Sequence, residues 1–158
     1  MINKFSLVCF LVTTLLFSGC SSGKADMWKQ YIPQTIHVGR TLTTNTSWLD
    51  IPGGSCGGAF FTLDKSTKTE IQEQGDRFFE TATRARSKAT RYDWSSSEGD
   101  IGVSTRLTLA MQCVSKKNNR NAGSLRHDAG NYFASQTVGN LVIAVFLDTD
   151  TVFVGYWD

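Results

Sequence analysis

The stretch that decides the fold closes the chain: "NLVIAVFLDTDTVFVGYWD", Asn140 to Asp158. Leu141 to Leu147 is an unbroken apolar run of strand length, the pattern of a central strand buried on both faces. Asp148 to Asp150 supplies turn residues, and Val152, Val154 and Tyr156 then alternate with Phe153 and Trp157. Two strand-like runs joined by a short polar turn predict a hairpin.

Upstream of this hairpin the pattern is less uniform. "LRHDAGNYFASQ", Leu125 to Gln136, predicts a short helix with Tyr132 and Phe133 inward, and "KKNNRNAG", Lys116 to Gly123, a long polar turn. Ile101, Val103, Thr105, Leu107, Leu109, Met111 and Cys113 occupy alternate positions, which predicts a strand with Cys113 on its apolar face. "YDWSSSEGD", Tyr92 to Asp100, is a polar loop holding two aromatic residues.

A principal helix is expected over Thr67 to Arg86. Thr67 and Glu70 match a capping box, with Asp64 or Ser66 as alternative caps. Ile71, Gly75, Phe78, Phe79, Ala82 and Ala85 fall on one face at spacings of three and four, and Gly75 in that stripe implies close packing on a sheet. Gln72, Glu73, Asp76, Arg77, Glu80 and Arg84 fall on the other. Arg84, Arg86, Lys88 and Arg91 gather at the carboxyl end, where the helix dipole favours cations; a solvated end is the plainer reading and an anion patch the sharper one.

Before the helix, "PGGSCGGAFFTLD" runs four glycines into the expected strand Ala59 to Leu63. With no lysine in phosphate-loop register and no helix directly after, it is a tight turn rather than a phosphate cradle. Ile36, Val38 and Leu42 alternate with polar residues in "TIHVGRTLTT", a half-buried strand, and "SWLDI" is a candidate second strand. Strands, one good helix and more strands predict an α+β domain, a mainly antiparallel sheet with the helix on one face.

The amino end carries a different signal. Lys4 is the only charge before a short apolar run from Phe5 to Phe17, and small residues follow: the three parts of a secretory signal peptide. The run is too short to span a bilayer comfortably. Leu16, Phe17, Ser18 and Gly19 lead straight into Cys20, with Ser21 and Ser22 after it. This arrangement resembles the lipobox of bacterial lipoproteins. The resemblance covers the leader alone and implies cleavage before Cys20, acylation of Cys20, and, with Ser21 rather than Asp next, delivery to the outer membrane, facing the periplasm. Several acyl chains together give stable anchoring. The expected organisation is thus a signal peptide over residues 1–19, an acylated cysteine and short tether over 20–29, whose serines and Gly23 favour flexibility although Trp28 reaches the fold, and one globular periplasmic domain over 30–158.

On that reading Cys9 leaves with the leader and Cys20 carries lipid, so Cys56 and Cys113 remain. A lone pair exported to an oxidising compartment is most simply a disulfide. The whole chain has 16 basic and 14 acidic side chains. Loss of Lys4 leaves 15 against 14, a balance with no electrostatic case for nucleic acid.

Catalytic signatures are missing from the sequence. There is no CxxC, HExxH or GxSxG, and His37 and His127 lie far apart. Asp50, Asp64, Asp93, Glu98 and Asp100 are candidate acid–base groups, but none stands at a motif spacing from a histidine, and His127 beside Asp128 points elsewhere on any regular element. The expectation is therefore a non-enzyme without cofactor or metal. A periplasmic binding module of the inhibitor or immunity type comes first; a structural lipoprotein of a secretion or conjugation apparatus is the alternative, and a cell-envelope hydrolase the third reading. Tyr92, Trp94 and Arg120, on the loops "YDWSSSEGD" and "KKNNRNAG", are the candidate contacts for a protein partner, since recognition residues concentrate on loops and aromatic and arginine residues are enriched at interfaces. Tyr156 and Trp157 are further candidates, or simply close the core.

Overall fold

The computed structural model describes residues 22–47, 55–87, 89–96, 101–116, 132–136 and 140–158. In chain order the elements are α1 (Ser22–Lys29), β1 (Val38–Ser47), β2 (Cys56–Leu63), α2 (Lys65–Gln74), α3 (Asp76–Thr81), β3 (Trp94–Ser96), α4 (Ile101–Lys116), β4 (Tyr132–Gln136), β5 (Leu141–Phe146) and β6 (Thr151–Trp157). The strands form one antiparallel sheet in the order β1-β2-β6-β5-β4-β3. The expected α+β architecture and its closing hairpin are both present.

All six residues of β5 are buried because both faces of the sheet are covered. Leu141, Ile143 and Val145 join Ala59, Phe61, Val152 and Val154 on one face, under Ile71, Phe78 and Phe79. Trp28, Ile32 and Ile36 close the same cluster from the amino end. Val142, Ala144 and Phe146 point the other way, with Phe60 and Phe153, and meet Leu107, Ala110, Met111 and Val114 of α4. Period-two alternation along each strand sorts its side chains between two cores.

Phe153 shows how tightly the second face is filled. Its ring lies 4.6 Å from that of Phe60 and against Gly155, where an added Cβ would stand 2.5 Å from the Phe153 ring and 2.6 Å from the Gly57 carbonyl oxygen. A side chain there has no space.

Four expectations are corrected. Residues 101–113 are helical: Leu107, Ala110, Met111 and Val114 are buried against the sheet at spacings of three and four, Cys113 and Ser115 are buried as well, and Leu109 is only half-buried. The sequence carries both periods, and the buried Ala110, which falls on the polar side of a strand, separates them. Residues 132–136 are the strand β4 and not a helix. The principal helix is two: Gly75, at φ +57°, ends α2 by donating its N–H to the Ile71 carbonyl, and α3 stops at Thr81. Glycine adopts that left-handed backbone without the Cβ penalty, so here it terminates a helix. Gly75 has open space around its Cα and makes no close packing contact with the sheet.

The fourth correction concerns the tether. Residues 22–29 form α1, and Trp28 is 3% exposed, stacked 6.0 Å from Tyr156. The Arg86 guanidinium holds this end down by donating to the carbonyls of Lys29 at 3.1 Å and Ile36 at 2.9 Å. Arg86 therefore serves the backbone, and its burial lowers its pKa.

The disulfide joins Cys56 and Cys113, with Cα atoms 6.4 Å apart. It fastens the start of β2 to α4 rather than to another strand. Asp64 is the cap that α2 uses, accepting from the Ser66 N–H at 2.9 Å. In β1, register shifts between Val38 and Thr43 put Val38 against the first core and Leu42 against the second. A bulge has this effect, since one extra residue flips every later side chain.

Candidate functional site

One row of side chains crosses the sheet from Ala59 through Val154, Ile143 and Ser135 to Trp94. Its last member stands on β3, a three-residue edge strand where a polar loop was expected, so the large indole ends the row and no further strand among the described residues covers it. Trp94 is half-buried, packed 4.7 Å from the Phe79 ring and 5.8 Å from the Tyr92 ring.

Hydrogen bonds to backbone lock this aromatic group. Trp94 Nε1 donates to the Ala82 carbonyl at 2.8 Å, and the Tyr92 hydroxyl donates to the Tyr31 carbonyl. The Tyr92 N–H also donates to the Thr83 carbonyl at 2.9 Å. Burial, reinforced by nearby Tyr31, pushes the Tyr92 phenol well above its ordinary pKa, so it stays neutral.

A cleft of about 280 Å³ opens over these rings. Asp76, Phe79, Glu80 and Thr83 line it from the α3 side, and Tyr92, Asp93, Trp94 and Ser95 from the β3 side. Asp76 and Glu80 lie four apart on α3 and so share one helix side. Both carboxylates, and that of Asp93, are exposed at the rim. Among the described residues the lining holds three acidic side chains and no lysine or arginine. Behind Trp94, its cross-strand neighbour Ser135 is buried, with Oγ making no hydrogen bond.

Two of the three sequence-derived contacts meet in this cleft, though not as expected. Tyr92 is 4% exposed and supports the floor instead of presenting itself to a partner, while Trp94 offers part of its ring. Arg120 and Cys20 lie outside the described residues, as do Asp50, Glu98, Asp100, His127 and Asp128. Tyr156 and Trp157 are half-buried and pack against opposite cores. Asp64 serves as a cap, and the Ser66 hydrogen bonds lower its pKa. Among the described residues no cluster of His, Cys, Asp or Glu is arranged to hold a metal ion.

Sequence reasoning did not find Asp76, Phe79 and Glu80 as site residues. Phe79 read as core stripe and the two acids as solvated face. The available signal was an i,i+4 pair of like charges, an arrangement that by itself weakens a helix slightly. Comparison with protein-family models, with curated proteins and with solved structures finds no match for this chain.

Proposed function

We propose that the protein is a lipoprotein, acylated at Cys20 and held at the outer membrane facing the periplasm, whose folded domain binds a protein partner without catalysing a reaction, in the manner of an inhibitor or immunity protein. The observation that supports it is the cleft beside Trp94. Its aromatic floor is fixed by hydrogen bonds to backbone, and its charged rim stays in water, so little ordering is left for the moment of binding. Preorganisation of this kind lowers the entropic cost of association. The disulfide and the doubly covered sheet give it a rigid base.

The test places a photo-crosslinking residue at Glu80 in the full chain, expressed in the bacterial envelope, with Arg40 as a remote exposed control. A discrete protein adduct from Glu80 and none from Arg40 is expected, and identifying the adduct separates an inhibited enzyme from an assembly subunit. Equal labelling from both positions, or turnover of a cell-wall or ester substrate by the purified chain, overturns the reading. The anchor is tested separately: Cys20→Ser should abolish incorporation of labelled palmitate.

A further inference from the structure

We infer that the cleft beside Trp94 receives a cationic side chain, an arginine or lysine presented by the protein partner. This deepens the binding reading above and rests on it. The indole N–H is already engaged by Ala82, which leaves the ring's π surface as what Trp94 offers. That surface attracts cations, and tryptophan does so best among the aromatic residues. Around it Asp76 and Glu80 of α3 and Asp93, just before β3, supply negative charge, and among the described residues of the lining none is basic. Charge complementarity therefore selects the occupant. An anion would be repelled, and an apolar plug would strip water from carboxylates while giving them no donor in return.

Size points the same way. A space of about 280 Å³ exceeds what a bare ion fills and suits the end of a long side chain. A guanidinium lies flat on an aromatic ring while its edge donates to carboxylates, which fits rings below and acids at the rim.

The test titrates the full chain in non-ionic detergent with acetyl-Gly-Arg-Gly-amide and with its citrulline counterpart, which has the same shape and no charge. Fluorotryptophan NMR reads the Trp94 signal, assigned by its loss in Trp94→Phe. Saturable movement of that signal by the arginine peptide and not by the citrulline peptide is expected. Glu80→Gln and Asp93→Asn should each weaken binding roughly two- to fivefold, the range of an exposed ion pair, with unchanged unfolding midpoints. Equal response to both peptides, no response to either, or wild-type affinity in both variants overturns the inference. If the Glu80 crosslink still forms in those cases, the binding reading stands and the cation is wrong; if it too is absent, both fall.

Discussion

Trp94 Nε1 and the Ala82 carbonyl, 2.8 Å apart, join the edge strand β3 to the residue that ends α3. The bond spans the back of the cleft, so floor and helix move as a unit. Trp94→Phe keeps most of the apolar contact and deletes the donor, and should cost about 1–2 kcal/mol in urea unfolding. Trp94→Ala removes the packing against Phe79 as well and should cost about 3 kcal/mol.

Arg86 should matter more than a surface arginine. Arg86→Met keeps the aliphatic stem but leaves the carbonyls of Lys29 and Ile36 without their charged donor. A loss of about 2 kcal/mol is expected. Hydrogen exchange should show it locally, as faster exchange over residues 28–36 with the sheet unchanged.

At Gly155 the expected failure is crowding. Gly155→Val drives its side chain into the Phe153 ring, and overpacking of this kind should cost about 2–3 kcal/mol. Pairing it with Phe153→Leu should recover part of the loss, as a double-mutant cycle in unfolding midpoints would record.

Tyr92 gives the protein an alkaline limit. Its folded pKa lies above the ordinary 10.0, chiefly because burial disfavours phenolate. The folded state therefore keeps a proton that the unfolded chain releases, and this contribution is complete below the unfolded pKa and lost as pH rises above it. Denaturation midpoints should fall from about pH 10 upward. Tyr92→Phe should flatten that fall, leaving a smaller share to Tyr156, whose phenol is also raised by burial.

The disulfide closes a loop with a sequence separation of 57 residues. Replacing both cysteines, Cys56→Ala with Cys113→Ala, should lower stability by roughly 4 kcal/mol if loop entropy dominates. Mass spectrometry without reductant should recover the two peptides linked.

The hairpin of β5 and β6 was legible because its residues satisfy a single period. Residues 101–113 satisfy two, and the choice lies in what covers them: with the sheet beneath, the helical stripe of Leu107, Ala110, Met111 and Val114 is the one that is buried. Likewise Gly75 sits in register with an apolar stripe, yet its backbone angle ends the helix, a property that spacing does not carry. The bridge survived the wrong element because Cys113 faces inward in either. Trp94 was legible as an aromatic in a polar segment. Its acidic neighbours on α3 were not, since nothing local in sequence brings residues 76–80 to residues 93–95.

The seating of α1 sets a leash length. With only Ser21 between Cys20 and this helix, and with Trp28 sunk into the core, the proposed acyl group is joined to the domain by one helix of eight residues, a span of about 12 Å. A flexible linker would let the domain sweep a wide volume; this short rod fixes its standoff and limits which way it can turn. A lipid-held copy would work as a fitting close to the bilayer, in reach of partners that come to that surface. Lengthening the chain with a Gly-Ser insert after Ser21 would then change which partners are in range while leaving the cleft itself intact.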